Sequence, residues 1–436
     1  MAQNSLDKRA PSNPEPARPA DGDKLRILVL DEEFPYPVNT GKRTRSFNLY
    51  RRLCRIAEIR YVAYGDHDSE AVKCFRTEGL EPVPVTGQIP RKDGMAFYLR
   101  LLRNLASPLP YIVTSHYTRR YELAVRSNVS EFDPHLIVCE WTPYSYYIRD
   151  IFDTQVLLST HNIEADIWRR YFENESNPAR KWYIGEQWRK VRRFEKECLN
   201  WVDAAIAVSS QDEEKLRQIR PDLRTLVVPN GVDLDYFTPL PHPAARNRLV
   251  FTGSMDWRPN QDAARHFAFE ILPELRLLSP DVTCSFVGRS PPADIRSLAD
   301  IHGIEITGTV DDVRPYVEKA CLYIVPLRIG GGTRLKILEA LAMGRAVVST
   351  SIGAEGLELV DGKHIILADE PLSFARRVHE LMQNPSRCKE LGAEGRRLVE
   401  QKYGWNALAR TMEDFVKDVN TVPAARALRN RIERAN

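Results

Sequence analysis

LYIVPLRIGGGTRLKILEALAMGRAVVSTSIGAEGL, residues 322–357, reads as a strand, a glycine-rich loop, a helix and a second strand. The apolar run from Leu322 closes at Pro326-Leu327, and Gly330, Gly331 and Gly332 follow. The spacing predicts a helix from near Thr333, with Leu335, Leu338 and Ala342 on its buried side. Glycine lets a backbone approach a ligand closely. The first turn of a helix offers free N–H groups and a positive dipole end, which suit a pyrophosphate. Arg334 and Lys336 add two cations there, and Glu339 lies one turn beyond Lys336 on nearly the same face, placed to accept a bond from a sugar hydroxyl. The residues alone leave two readings open: an anion-binding turn, or a tight turn followed by a Lys336–Glu339 surface ion pair.

The same unit recurs on both sides. RLVFTGSMDW (248–257) is a strand and glycine loop, followed by the helical NQDAARHFAFEILPELRLL. VTCSFVGRSP, IEITGTV, CLYIVPL and RAVVSTSI then alternate with helical segments. An earlier series opens with LRILVLDEE (25–33), a loop carrying Gly41, and the helical TRSFNLYRRLCRI. It continues through HLIVCEW (135–141), QVLLSTHN (155–162) and AAIAVSS (204–210), with its longest helical stretch around 164–199. Short Val-, Ile- and Leu-rich runs alternating with helices predict parallel sheets covered on both faces. The proline-rich TLVVPNGVDLDYFTPLPHPAARNR (225–248) separates the two series. Expected units are therefore a disordered leader (1–23), two Rossmann-like domains (24–240 and 241–402), a helix over 403–420 and a basic tail (421–436). Trp405, Leu408, Met412, Phe415 and Val419 mark the apolar face of that helix.

Composition narrows the function. The 436 residues carry 62 Lys+Arg against 59 Asp+Glu, a net charge of +3, so charge balance gives no reason to expect nucleic acid. No run of 18 apolar residues predicts a membrane span, and the proline-bearing start lacks a signal-peptide core. Seven dispersed cysteines without a CxxC read as reduced thiols in a cytoplasmic protein. TGKRT (40–44) fails as a P-loop: Tyr36 stands where the first glycine belongs, and Arg43 where a Ser or Thr would hold magnesium. No GxGxxG follows either first strand.

With these motifs in place, the chain resembles the retaining glycosyltransferases of family 4, which have the GT-B fold. The resemblance rests on Glu339-Ala340-Leu341-Ala342-Met343-Gly344 before Val347-Val348-Ser349, on VVPNGVD followed by Phe237 and Pro239, and on LVFTGS, FVGRSP, ITGTVDDV and YGW. It spans roughly residues 25–420 and implies an α/β fold of two Rossmann-like doubly wound domains facing across a cleft. It implies transfer of a sugar, with retention, from a nucleotide-sugar donor to a hydroxyl of a glycan or lipid-linked acceptor. The implied setting is cytoplasmic assembly of cell-envelope or exopolysaccharide glycans, with no cofactor and no metal required. It assigns Glu339 to the donor ribose. Gly253 and Arg258, with Gly331, Gly332, Thr333, Arg334, Leu335 and Lys336, form the expected donor side. Two departures stand out. Gly331 occupies the position of the family's first acid, which touches the donor hexose, so backbone N–H groups of the glycine run would take over sugar recognition. After the strand ending at Thr252 the family carries an Arg and a Lys, where only Arg258 is available; Arg334 and Lys336 would supply the missing charge. Asp311-Asp312 reads as a helix-capping pair rather than a metal site.

His161 sits just past an apolar strand, where an α/β crevice opens. It resembles the family's acceptor-side histidine and is the expected catalytic residue; a lone histidine is otherwise a capping or core residue. Glu164 would orient it or meet the acceptor. Gly41 resembles the small-residue loop approaching the reaction centre, and Arg43 and Arg45 either meet an anion or open a solvated helix. The basic, aromatic stretches 169–197 and 91–105 read either as solvated helix faces or as a peripheral membrane contact at the inner face, next to a lipid-linked acceptor. Two other readings stay open: a GT-B sugar-nucleotide epimerase or phosphorylase, and an inactive nucleotide-sugar-binding protein.

Overall fold

Apolar runs bounded by charged or turn residues form the strands. The computed structural model describes residues 24–38, 40–87, 89–91, 93–239, 245–329 and 334–421. The expected leader, the glycine run with Thr333, the hinge near 240 and most of the basic tail lie outside the described residues. Strands β1 (Leu25–Glu33), β2 (Ala57–Tyr64), β3 (Glu81–Val85), β4 (Leu136–Cys139), β5 (Gln155–Ser159), β6 (Ala204–Ala207) and β7 (Arg224–Val227) form one sheet in the order β3-β2-β1-β4-β5-β6-β7. Strands β8 (Ala245–Thr252), β9 (Thr283–Val287), β10 (Ile304–Ile306), β11 (Ala320–Val325), β12 (Val347–Ser349) and β13 (Ile366–Leu367) form a second, ordered β10-β9-β8-β11-β12-β13. The strand pairings within both sheets are parallel.

Alternation explains why the first sheet is covered on both faces. Ile27 and Val29 belong to one apolar cluster, Leu28 and Leu30 to another, and all four are fully buried. The strand order reverses between β1 and β4 and again between β8 and β11, so each sheet opens a crevice at the carboxyl ends of those strands. The two crevices face each other: a Cβ added to Gly41, at the start of the helix Gly41–Leu53, would lie 3.9 Å from Leu335 Cδ1.

Two expectations are corrected in detail. The single helical stretch expected around 164–199 is two helices, Glu164–Asn174 and Pro178–Cys198. Pro178 cannot continue a helix from its amino side, and Asn177 caps the new one by accepting from Arg180 N at 3.1 Å. The helix expected from Thr333 begins at Leu335. Strands β2 and β3 escaped the sequence reading, because AEIRYVAY and EPVPV interleave charge or proline with their apolar residues.

The helix Trp405–Asn420 lies in the same apolar cluster as Ile27, Tyr50 and Leu53, through Trp405, Leu408, Met412, Val416 and Val419. Phe415 sits at its edge, and Val416 takes the inner position. Gly231 passes directly beneath: an added Cβ would stand 2.8 Å from Leu408 Cδ1 and from the Trp405 ring. Gly231→Ala is expected to cost about 1–3 kcal/mol of stability by overpacking. Thermal denaturation should show a lowered Tm, and an unchanged Tm would mean that the helix does not press on this turn.

Candidate active site

Between the two crevices lies a cavity of about 520 Å³. The first sheet contributes Gly41, Lys42, His161, Asp166, Ser209 and Lys215 to its wall, and the second contributes Leu335, Glu355 and Gly356. These residues follow strands β1, β5, β6, β11 and β12, so parallel topology alone brings them together.

On the first-sheet side the floor is a buried polar network. Glu140 immediately follows β4 and accepts from Ser46 Oγ at 2.6 Å and from Tyr50 OH at 2.5 Å, both on one face of the helix Gly41–Leu53. His161 Nε2 stands 3.2 Å from Glu140 Oε2. Burial pushes the Glu140 carboxyl up, but His161, Ser46 and Tyr50 outweigh it and bring its pKa down to about 2. One strand over, Lys42 Nζ joins Asp31 (2.7 Å) and Glu32 (2.8 Å), and Tyr61 OH donates to Asp31 at 2.6 Å. Burial, with Glu140 and Glu32 nearby, lifts Asp31 to about 6 against the pull of Lys42. Burial also lifts Glu32, but His116 and Lys42 prevail and hold it at about 2. Lys42 is kept firmly protonated, its two carboxylates overcoming burial.

The expected residues on this side divide. Gly41 and His161 line the cavity. Glu164 does not orient His161 by a hydrogen bond: its carboxylate accepts from Trp141 Nε1 at 2.7 Å, and burial pushes its pKa up. The backbone N–H groups of Glu164 and Ala165 donate to Glu195, at 2.6 and 3.1 Å, so a distant carboxylate caps this helix. Arg43 forms a fork onto Glu33, at 2.7 and 2.5 Å. Arg45 is neither a solvated helix start nor turned to the cleft: it is 1% exposed and donates to the carbonyls of Val228 and Pro229.

On the second-sheet side Lys336 points inward, donating to Asn260 Oδ1 at 2.7 Å and lying 3.9 Å from the centre of the Phe251 ring. Gly253 makes room for it. At its φ of +155°, an added Cβ would meet Asn260 Nδ2 at 2.7 Å and Lys336 Nζ at 2.8 Å. Among the described residues Lys336 and Glu339 form no ion pair within 4 Å, so the surface-pair reading of the sequence is set aside. Burial presses Lys336 down to about 7 and lifts Glu339 to about 7, each partly offset by the other. Glu339 has no hydrogen-bond partner among the described residues. Arg258, exposed at the first residue of the helix Arg258–His266, precedes Asn260 by two positions. Arg334 is buried, donates to Ile352 O at 2.9 Å and lies 3.7 Å from Glu355. Gly331, Gly332 and Thr333 lie outside the described residues. The capping role expected of Asp311-Asp312 is corrected: Val313 is the cap of the helix Arg314–Lys319, and Asp312, one residue earlier, accepts from Arg314 N at 2.9 Å and from its guanidinium.

Lys42, Glu140, Trp141 and Asn260 were missed as functional candidates. Lys42 lies within TGKRT, whose failure as a P-loop hid it. Glu140 and Trp141 were legible as a strand end but carried no motif. Among the described residues no group of three or more His, Cys, Asp or Glu gathers as a metal site, and no helix is long and apolar enough to cross a membrane.

Residues 70–236 match the model described as Glycosyltransferase Family 4, and residues 246–384 match Glycosyl transferases group 1. A protein of the cps region of Klebsiella pneumoniae is 22% identical over 399 residues, covering 87% of this chain and 96% of its own. The phosphatidyl-myo-inositol mannosyltransferase of Mycobacterium tuberculosis is 26% identical over 196 residues, covering 42% of this chain and 51% of its own, so the match spans about half of that enzyme. The fold is shared with Anabaena HepE, solved in complex with UDP, at a TM-score of 0.63 and 13% identity over 90% of this chain and 100% of that one. Two facing parallel sheets, and family matches over both halves, place the chain among the family 4, group 1 glycosyltransferases of GT-B fold, and it is an enzyme of that class.

Proposed function

We propose that this glycosyltransferase moves a sugar from a nucleoside-diphosphate carrier to a hydroxyl of a glycan or lipid-linked acceptor, with retention, in cell-envelope or exopolysaccharide assembly. The observation that carries the reading is the cavity shared by the two crevices, walled by His161 and Lys42 on one side and by Leu335 on the other, with Lys336, the residue after Leu335, held by Asn260 beside Gly253. The HepE structure with UDP, the mannosyltransferase relative and the relative in a cps region support it.

Departure of a nucleoside diphosphate builds negative charge on its β-phosphate. Lys336, Arg258 and the N–H groups opening the helix Leu335–Ala342 would stabilise that charge. Glu339, uncommitted and beside them, would hold the ribose. His161, from the opposite wall, would meet the transferring sugar. Glu164, tied to Trp141, would shape the acceptor wall rather than touch the acceptor. Closure of the two halves over the cavity would exclude water from the activated sugar.

A contact with the inner membrane face belongs to the same reading. On the helix Gly94–Leu105, Met95 (76% exposed), Tyr98 (59%), Leu99 (50%) and Leu102 (62%) form one stripe at i, i+3, i+4 and i+7. Arg91 and Arg103 are exposed on the same segment. The helix is tied to its neighbour Pro178–Cys198, which exposes Trp182, by Gln187 Nε2 donating to Asn104 Oδ1 at 2.8 Å. An apolar stripe with cations beside it matches an anionic lipid surface.

Three outcomes are expected. In a thermal-shift panel of nucleoside diphosphates and nucleotide sugars, at least one should raise the Tm, as any ligand of the native state does. Lys336→Glu should abolish that shift, and full retention would remove Lys336 from the donor site. Between pH 7 and 9 the affinity for that nucleotide should fall. Rising pH takes the proton from Lys336, whose pKa lies near 7, which removes an attraction for phosphate, and leaves Glu339 charged, which adds a repulsion. Lys336→Gln should flatten that dependence in a titration. Replacing Met95, Leu99 and Leu102 together by Ser should abolish co-sedimentation with phosphatidylglycerol-containing vesicles and leave nucleotide binding unchanged. Equal sedimentation of the variant, or a concentration-dependent dimer through this face, would overturn the lipid assignment.

A further inference from the structure

Nothing yet assigned explains why a fixed anion lies beneath His161. Glu140 is 1% exposed, and its two oxygens take two hydrogen bonds and stand beside the His161 ring. Tyr50 OH addresses Oε1, while Ser46 Oγ and the His161 ring both address Oε2. Glu140 N donates to Leu30 O at 2.9 Å, which anchors the residue to the first strand. A buried carboxylate is costly unless its lone pairs are used. Ser46 and Tyr50 already use both oxygens, so the anion is held in place without His161. The ring therefore comes to a preset acceptor.

The two edges of the ring differ. His161 Nε2 is fully buried and makes no in-line hydrogen bond, and Glu140 Oε2, 3.2 Å away, is the anion beside it. The residue nevertheless lines the cavity, with 11% of its side chain exposed. The edge left for the cavity is the one bearing Nδ1, which has no hydrogen-bond partner among the described residues.

We infer that Glu140 is the positioning residue of His161: it holds the proton on Nε2, turns the Nδ1 lone pair toward the cavity, and so makes His161 an acceptor for a ligand hydroxyl. A neutral imidazole carries one donor and one acceptor nitrogen, and the partner of one nitrogen sets the chemistry of the other. A buried carboxylate beside Nε2 favours the proton on that nitrogen and leaves Nδ1 of the neutral ring unprotonated. The group it suits is a hydroxyl able to donate, on the transferred sugar or on the acceptor; a cavity-facing N–H would instead suit an anion. The assignment of a sugar hydroxyl rests on the glycosyltransfer reading, but the tautomer does not, and it is measured without substrate.

The test is nitrogen-15 NMR on the full chain labelled at histidine, with the His161 signals identified by their loss in His161→Gln. At pH 8 the wild type should show His161 protonated on Nε2, with Nδ1 bare. Glu140→Gln removes the charge but keeps the shape, and should lower the ratio of the Nε2–H to the Nδ1–H form at least about threefold. Glu140→Asp keeps the charge and should restore part of the bias; it also serves if the Gln variant does not fold. A purely structural role for Glu140 would change the Tm and leave the tautomer ratio alone, and that result would overturn the inference. So would a wild-type ring protonated on Nδ1. Loss of nucleotide binding from every arm of the thermal-shift panel, with the tautomer shift intact, would instead count against the glycosyltransfer reading alone.

Discussion

Parallel pairing is the constraint on which the rest of this molecule depends. In a parallel sheet each strand must return by a crossover, so all carboxyl ends gather along one edge. At that edge the first sheet delivers Asp31 and Glu32 from β1, Glu140 after β4 and His161 after β5. The second sheet delivers Gly253 after β8 and the Leu335 helix after β11. Residues more than a hundred positions apart become neighbours because the strands run the same way. Facing the two edges toward each other turns two shallow crevices into one cavity.

The polar groups beneath that cavity are arranged so that their burial is compensated. Burial works against the charged forms of Asp31, Glu32, Glu140 and Lys42 alike. It is offset in three of them by close partners, and Asp31 remains the exception, lifted toward neutrality between two other carboxylates. Breaking one member of such a network leaves its partner buried and unpaired, which costs more than the pair itself contributes. The second-sheet side follows a different logic. Among the described residues Lys336 and Glu339 have no ionic partner within 4 Å, and both are drawn toward neutrality.

Legibility differed between fold and site for physical reasons. The runs at 27–30, 136–139 and 204–207 are uninterrupted apolar stretches of strand, and they were visible because a strand buried on both faces tolerates little else. Strands β2 and β3 sit toward the sheet edge, where exposed and half-buried positions admit Arg60, Glu81 and Pro84, and their pattern dissolved. At the site, Gly41, His161 and Leu335 were found because each follows a strand or a glycine loop. Arg45 was misjudged because an arginine near a helix start looks solvated until the carbonyls of Val228 and Pro229, 183 and 184 positions on, are seen to meet it. Glu140 carried no local signal, since its meaning lies in three partners on two other elements.

Periodicity and composition sufficed to establish two doubly wound halves, the handover from strand to glycine run to helix at 322–342, and the amphipathic helix at the C-terminal end. These are short-range properties, set by which side chains a buried strand or a helix face accepts. Pairings remained for tertiary structure to decide: Lys336 with Asn260 rather than Glu339, Glu164 with Trp141 rather than His161, and Glu140 beneath His161. Each depends on distances between chain segments that only the packed sheets bring within hydrogen-bond reach.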